Sequence, residues 1–333
     1  MRLNGMSGKV TALLSSLLFL FLPLSPLVQG DGMSSVLWSR PHRVTTDSAW
    51  DCTPAAFQDT NGWYWMFWAS NREGEWSIYY KTSPSGMDWS EPVRLSEGAG
   101  SWRPSAFQDS SGRYWVFWGM EANGNWDVYY RVLDGSCDWS DPTKVTTDPA
   151  VDETPSAFQD SSGRYWVFWT STRDGVQEVY YRVLDGEVWS DPIRLTEKDT
   201  YIDWRPSAFQ DSFGKYWVFW ESGRDGDWNV YYKVRTDGEW SPPNRVPTSG
   251  ASDEYPHAFQ DNDDCYWLFW SVGGSTHRLY CMNRVKRWLC GVDLTPGNTP
   301  SAFQDSSGRY WVFWSADSPG GNPDIYYMIG LVI

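Results

Sequence analysis

The chain has 333 residues and a formal net charge of −15; 18% of its residues are aromatic, including 25 Trp, and 21% are charged. This composition excludes disorder and a coiled coil, which both need a more charged and less aromatic sequence. The acidic balance argues against a nucleic-acid partner, because phosphate binding needs a basic face. So much Trp indicates either a repeated core or stacking surfaces.

The first thirty residues have the features of an export signal. Arg2 and Lys9 are followed by an apolar run over 10–28, and small residues end the segment at Gly30. We therefore expect a signal peptide over 1–30 and a secreted or cell-surface chain over 31–333, whose charge becomes −17 when Arg2 and Lys9 are removed. No other stretch approaches the ~20 apolar residues of a membrane span, so none is expected after cleavage. An uncleaved anchor is the alternative.

One phrase, Pro-Ser-Ala-Phe-Gln-Asp-Ser-Ser-Gly-Arg-Tyr-Trp-Val-Phe-Trp, recurs with variations along the chain. The spacings between successive copies are 50, 51, 51, 50 and 44 residues. The first Phe of each copy lies at Phe57, Phe107, Phe158, Phe209, Phe259 and Phe303. Repeats of this length indicate an architecture in which each copy is one supersecondary unit.

Each unit is predicted to form four short strands. In the second copy, 104–108 is the first strand and 109–112 a tight turn with Asp at its start and Gly at its end. The aromatic stretch 114–118 is the second strand, and 127–132 is the third. The fourth covers 139–146, where Pro142 suits an outer edge. Six such units predict an all-β fold, a six-bladed β-propeller of four-stranded antiparallel blades.

The two ends of the repeat array complement each other. Trp38-Ser39-Arg40-Pro41 has the pattern of a fourth strand without the first three, and the chain stops shortly after Tyr326, in a third strand without a fourth. We therefore expect the N-terminal strand to pair with the C-terminal blade. This pairing would close one domain over 31–333 and remove its open edge.

Residues present in every unit are expected to serve the fold. Trp115, Trp118 and their equivalents should fill the layers between blades. Gln108 and its equivalents are expected as satisfied amides between first strands, although they could line a channel. Asp109 and its equivalents should cap their own turns; calcium binding is the alternative, but the sequence has no D-x-D-x-D loop.

Cysteine and histidine give little evidence of a cofactor. Five cysteines exclude a complete disulfide framework. Cys281 and Cys290 lie on either side of a predicted hairpin turn and are a candidate disulfide. The three histidines lack metal-ligand spacing, and the sequence has no phosphate loop or dinucleotide fingerprint. We expect neither a metal nor a cofactor.

One face of the predicted propeller varies between units. Strand direction places the second-to-third loops and the inter-unit linkers together on this face, and variable loops on a rigid frame commonly carry function. The linkers end just before the first strands, near the channel mouth. They include Trp102-Arg103 and Trp204-Arg205, and the loops add Arg72, Arg173 and Arg224. Trp rings stack on sugars and guanidinium groups hold carboxylates, so we expect a glycan or another extracellular ligand here. Arg–Asp pairs that only stabilise solvated turns are the alternative.

The turns between third and fourth strands partly match a known motif. Gly86 with Trp89, and Asp134 with Trp139, match part of the pattern S-x-D-x-G-x-T-W, and Trp-Ser-x-Pro follows. Over nearly the whole mature length the chain therefore resembles the sialidase-like six-bladed propellers with Asp-box (BNR) repeats.

The resemblance implies site residues as well as a fold. Family sialidases hold a carboxylate with three arginines and use a Tyr activated by Glu as nucleophile and an Asp as acid/base. Arg103 and Arg205, each followed by Pro, loosely match the first arginine motif, and no third arginine matches. The implied catalytic candidates are Tyr255 with Glu221 as the nucleophile pair, and Asp152 or Asp203 as the acid.

The six units are unusually alike, which favours binding over catalysis. Catalysis tends to break symmetry and needs two differentiated carboxylates or an equivalent pair, whereas several weak sites gain by avidity. The function we expect is carbohydrate binding by a secreted monomer. The alternatives are a glycoside hydrolase of the exo-sialidase type and a surface scaffold that binds protein.

Overall fold

The computed structural model describes residues 36–97, 100–135, 138–197, 199–248, 252–273, 278–284 and 292–332, with only the backbone described at 278–284 and 292. In these ranges the regular elements are strands, and no helix has the length and apolar character needed to cross a bilayer. The expected signal peptide over 1–30 lies outside the described residues.

The strands form an all-β propeller of four-stranded antiparallel blades, and the described residues contain six antiparallel sheets. We number the sheets in chain order of their first strand. Sheet 1 comprises Asp51–Gln58, Tyr64–Ser70, Ser77–Ser83 and Val93–Arg94; sheet 2 comprises Ser101–Gln108, Tyr114–Ala122, Asn125–Leu133 and Thr143–Lys144. Sheet 3 comprises Asp152–Gln159, Tyr165–Ser171, Glu178–Asp185, Val188–Trp189 and Ile193–Arg194; sheet 4 comprises Asp203–Gln210, Tyr216–Ser222, Asn229–Thr236, Glu239–Trp240 and Asn244–Arg245. Sheet 5 comprises Asp253–Gln260, Tyr266–Val272, Arg278–Arg284 and Val292–Pro296; sheet 6 comprises Asn298–Gln304, Tyr310–Asp317 and Pro323–Val332, joined by Val36–Trp38 and His42–Arg43.

The outer strands are shorter than the sequence predicts. In sheet 2 the expected strand over 139–146 is reduced to Thr143–Lys144. Before it, the backbone N–H of Ser140 donates to Val132 O at 2.8 Å, and the Ser140 hydroxyl accepts from Val132 N at 3.0 Å. The hydroxyl thus replaces a ladder carbonyl just before Pro142, which has no N–H to donate. The same serine contacts occur at Ser39, Ser90, Ser190 and Ser241.

The predicted pairing of the N-terminal strand with the C-terminal blade is confirmed. In the antiparallel ladder Trp38 lies opposite Gly330, and Arg43 lies opposite Tyr326. A side chain at Gly330 would place its Cβ 2.7 Å from Val36 Cγ1, so the close approach of the two strands requires glycine.

The repeated turn aspartate caps its own turn, as predicted, and also binds the next sheet. Asp160 Oδ1 accepts from the backbone N–H groups of Ser162 and Arg164 at 2.9 and 3.0 Å. Asp160 Oδ2 accepts from Trp166 Nε1 at 2.8 Å and from the Tyr216 hydroxyl of the following sheet at 2.9 Å. Corresponding Tyr–Asp bonds of 2.7–2.9 Å join Tyr114–Asp59, Tyr165–Asp109, Tyr216–Asp160, Tyr266–Asp211, Tyr310–Asp261 and Tyr64–Asp305.

The repeated glutamines are satisfied amides, as predicted, but they connect turns rather than first strands. Gln108 Nε2 donates to Gly112 O at 3.2 Å, and Gln108 Oε1 accepts from Thr60 N of the preceding sheet at 2.8 Å. The predicted core positions are also confirmed, since Trp115 and Trp118 are buried between sheets. Neighbouring sheets are therefore joined by polar contacts between turns and by aromatic packing.

Replacing Asp160 with Asn should destabilise the propeller. The amide brings an NH2 group towards the Trp166 and Tyr216 donors, which leaves at least one buried donor unsatisfied. We expect the free energy of unfolding to fall by about 3 kcal/mol, measured by urea denaturation. The exposed Asp185→Asn is the matched control and should change it by less than about 0.5 kcal/mol. Equal effects of the two substitutions would contradict the role assigned to Asp160.

Candidate functional site

Each first strand contains a β-bulge at the same place. In sheet 2 the register shifts between Trp102 and Ser105, because one strand has an extra residue there. The linkers predicted to end before the first strands therefore lie within them. The bulge residue that precedes proline has a positive φ in every sheet: Thr53 52°, Arg103 53°, Thr154 57°, Arg205 54°, Tyr255 56° and Thr299 51°. This left-handed conformation is strained for non-glycine residues, most of all for β-branched threonine, and such strain is concentrated at functional sites.

The bulges surround a cavity of about 200 Å³ where the first strands of the six sheets meet. Each sheet contributes the positive-φ residue, a proline and then a Ser, Ala or His to the lining, and sheets 1 to 5 also contribute an Ala. The positive-φ positions contribute Thr53, Arg103, Thr154, Arg205, Tyr255 and Thr299. Sheets 2, 4 and 5 thus supply the charged and aromatic groups, and the other three supply threonine.

Arg205 is held between two aromatic rings. Its guanidinium carbon lies 3.7 Å from the ring centroid of Trp204 and 3.9 Å from that of Tyr255. Arg205 Nη1 lies 2.5 Å from Glu221 Oε1 and 3.6 Å from Glu254 Oε2. Arg205 Nε is buried and has no hydrogen-bond partner among the described residues. The contacts fix the guanidinium in place while leaving part of its donor capacity unused.

Glu221 provides the buried counter-charge. It is fully buried, and its second oxygen accepts from the backbone N–H of Tyr255 at 2.8 Å. In two other sheets a hydroxyl accepts from the corresponding backbone N–H: Thr170 from Arg205 and Ser315 from Thr53, each at 3.1 Å. Glu221 therefore accepts the same backbone hydrogen bond as these hydroxyl groups and also brings a carboxylate into the site. Burial raises the pKa of Glu221 to about 7, although the charge of Arg205 and the Tyr255 N–H act in the opposite direction.

Arg103 reaches the same aromatic pair from sheet 2. Its guanidinium carbon lies 5.3 Å from the ring centroid of Tyr255 and 5.5 Å from that of Trp204. Within the described ranges the Arg103 guanidinium forms no ion pair or hydrogen bond. Burial and, after it, the positive charge of Arg205 lower the pKa of Arg103. Two guanidinium groups therefore share one aromatic site, and only Arg205 forms an ion pair there.

Trp102 lies outside this cluster. It is half-buried and stacks on Trp76 of the preceding sheet, with ring centroids 4.1 Å apart. Trp204 also lies near a second tryptophan, Trp228, and the centroids of the two rings are 6.5 Å apart. The two predicted Trp-Arg pairs thus have different environments. Trp204 and Arg205 both belong to the cluster around Tyr255, whereas Arg103 belongs to it without Trp102.

The three loop arginines are each bound to a buried aspartate of their own sheet. The shortest N–O separations are 3.1 Å for Arg72–Asp51, 3.0 Å for Arg173–Asp152 and 2.7 Å for Arg224–Asp203. These contacts also account for two of the candidate catalytic residues, Asp152 and Asp203, which are fully buried and do not line the cavity. Burial raises the pKa of both, although the paired arginine and a neighbouring serine lower it.

Tyr255 and Glu221 are neighbours, as the family resemblance implies, but they contact each other through the backbone. The carboxylate accepts from the Tyr255 N–H. The phenol ring lies over Arg205, and the described residues show no hydrogen bond from the Tyr255 hydroxyl to Glu221. In this structure Glu221 is therefore not placed to take the phenolic proton directly.

The sequence alone led to no individual site role for His257, Glu153 or Glu254. His257 lines the cavity at a position where Ser105, Ser156, Ser207 and Ser301 occur in other sheets, and that break in the repeat was a usable signal. Those serines accept from the backbone N–H of an alanine in the next sheet at 3.0–3.1 Å. His257 Nε2 instead donates to Ala302 O at 2.9 Å, and burial lowers its pKa to about 4, so the imidazole is neutral.

The described residues contain no cluster of three or more potential metal ligands. The candidate disulfide cannot be located, because Cys290 and the side chain of Cys281 lie outside the described part of the chain.

Comparison with known proteins gives the fold. No family model matches the sequence, and no curated protein matches it. A protein of unknown function from Dyadobacter fermentans has a TM-score of 0.75 at 15% identity, covering 90% of this chain and 99% of its own. The α-L-arabinanase of Penicillium chrysogenum, complexed with arabinobiose, has a TM-score of 0.67 at 14% identity, covering 85% of this chain and 95% of its own. The NanB sialidase of Streptococcus pneumoniae has a TM-score of 0.63 at 10% identity, covering 85% of this chain and 68% of its own. The chain is therefore similar in fold to propellers that include glycoside hydrolases and a sialidase.

Glu221 should make stability depend on pH. Its native pKa of about 7 exceeds the ordinary value of 4.5, so the native state binds a proton that the unfolded state releases between these values. This contribution is complete below pH 4.5 and is lost as pH rises through 7. The free energy of unfolding of Glu221→Gln, taken relative to that of the wild type, should therefore increase by on the order of 3 kcal/mol from pH 4.5 to pH 8. Urea unfolding of both proteins at each pH measures this difference. A difference that stays constant with pH would contradict the assignment.

Proposed function

We propose that this protein is a sialidase-like propeller that binds carbohydrate at the channel mouth, and that its six sheets are the six blades of one ring. The observation that carries the proposal is the pair of guanidinium groups at Trp204 and Tyr255, one of them without an ion pair. Sugar hydroxyl and carboxylate oxygens are suitable acceptors for these donors, and sugar faces stack on aromatic rings. The half-buried Trp102–Trp76 stack offers a further aromatic surface.

The fold supports this location. Ligand sites are commonly concave and combine apolar walls with a few convergent polar groups, and the central cavity combines prolines and alanines with Arg103, Arg205 and Tyr255. Among the proteins of similar fold, the Penicillium arabinanase is complexed with arabinobiose. In this proposal Arg72, Arg173 and Arg224 hold the loops through their aspartates, and Arg103 and Arg205 contact the ligand.

The proposal extends to location and domain structure. We propose a signal peptide over 1–30, a single domain over 31–333, and a monomer that is secreted or held at the cell surface. The basic start and the apolar run over 10–28 support export. The pairing of Val36–Trp38 with the final strand supports a single domain.

Arg103→Gln and Trp204→Ala should each weaken glycan binding at least tenfold, because each removes a donor or ring from the proposed site. Binding would be measured on an array of neutral and acidic glycans, and positive glycans titrated in solution. Trp63→Ala is the matched control, since Trp63 is an exposed Trp in a turn at the other end of a first strand. Wild-type binding by both site variants would overturn the proposed location, and absence of glycan binding by the wild type would overturn the proposed function.

A glycoside hydrolase is the second candidate, favoured by Glu221, whose pKa of about 7 suits a general acid near neutral pH, and by the glycosidases of similar fold. It predicts hydrolysis of fluorogenic arabinosides or sialosides that is lost in Glu221→Gln. A folded wild-type protein with no turnover on such a panel would contradict this candidate.

A further inference from the structure

The charges around the cavity do not balance. Arg103 and Arg205 supply two positive charges. Three carboxylates face them: Glu221 in contact with Arg205, Glu254 at 3.6 Å from Arg205, and Glu153, which interacts electrostatically with Arg103. With every group ionised the cluster has one excess negative charge. A ligand anion would add another, in a poorly solvated site where like charges repel strongly.

Glu221 is the carboxylate best placed to lose its charge. It is fully buried, whereas the Glu254 side chain is 19% exposed. The corresponding positions in the other sheets are uncharged: Ala69, Gly119, Thr170, Ser271 and Ser315. Glu221 also occupies Nη1 of Arg205, a donor that an anionic ligand would use. The carboxylate thus competes with such a ligand for the same guanidinium group.

We propose that Glu221 makes the site proton-coupled: an anionic sugar binds to Arg103 and Arg205 together with one proton, which Glu221 takes up from solvent. This inference rests on the proposed glycan-binding function and specifies which sugars the site accepts at a given pH. No covalent bond of the ligand forms or breaks, and the only covalent change is the proton added to the Glu221 carboxylate. The ligand's negative charge replaces that of Glu221, and the charge of the cluster is unchanged.

The surroundings of Glu221 are compatible with both protonation states. Arg205 and Arg103 face it from sheets 4 and 2, and Glu254 and the Tyr255 N–H face it from sheet 5. A neutral carboxyl group still offers an oxygen to the Tyr255 N–H, so the backbone contact survives. A pKa of Glu221 near 7 means that the proton is available close to neutral pH. An uncharged sugar needs no such exchange, so its binding should not depend on Glu221 protonation.

The test is titration calorimetry of the whole protein with D-glucuronate, D-galacturonate and N-acetylneuraminate, and with D-glucose and D-galactose as uncharged counterparts. Each titration is run at pH 6 and pH 8, in buffers of different ionisation enthalpy, so that proton uptake is measured directly. We expect an acidic sugar to bind about tenfold more tightly at pH 6 than at pH 8, with uptake approaching one proton at pH 8.

Glu221→Gln should bind the acidic sugar with equal affinity at both pH values and without proton uptake, because the amide resembles the protonated acid. Glu239→Gln, at an exposed glutamate in the outer part of sheet 4, is the matched control and should retain the pH dependence. Acidic-sugar binding without proton uptake, binding of uncharged sugars alone, or unchanged coupling in Glu221→Gln would overturn the inference and leave glycan binding intact. If neither acidic nor uncharged sugars bind, the proposed function fails and this inference fails with it.

Discussion

The propeller depends on one buried carboxylate shared by two sheets. In each repeat the turn aspartate caps its own turn with one oxygen and accepts with the other from a Trp of its own sheet and a Tyr of the next. Because hydrogen bonds to a charged acceptor are stronger than neutral ones, this carboxylate fixes both the turn and the angle to the neighbouring sheet. The repeated Asp, Tyr and Trp of the sequence are three parts of this one junction.

With the frame fixed at the turns, the opposite ends of the first strands can carry strain and sequence variation. The bulge residue before each proline has a φ of 51–57° in every sheet, whereas its side chain changes from Thr to Arg or Tyr. The result is an asymmetric centre on a nearly symmetric frame. Glu221 shows how the change occurs: a position that accepts a backbone N–H through a hydroxyl elsewhere accepts it here through a carboxylate and also binds Arg205.

Much of the fold could be predicted from the sequence because its signals are local or repeated. The antiparallel strands, the turn caps and the pairing of Trp38 with the C-terminal strand follow from spacing alone. The bulges could not be predicted, because they depend on the register between strands, and the family-like pairing of Tyr255 with Glu221 gave no hint that the contact is through the backbone. The partners of Arg72, Arg173 and Arg224 depend on which of several nearby acids is buried. The linker tryptophans looked equivalent in sequence, yet Trp204 packs on Arg205 and Trp102 on Trp76.

The Tyr64–Asp305 bond has a consequence for the order of folding. Its partners are 241 residues apart, whereas Tyr165 and Asp109 are separated by only 56. Loop-closure entropy rises with the logarithm of this separation, so the 64–305 junction costs about 1 kcal/mol more than the others before its contacts form. We therefore expect neighbouring sheets to associate before the last sheet joins the first, and the Tyr64–Asp305 contact to be among the last to form.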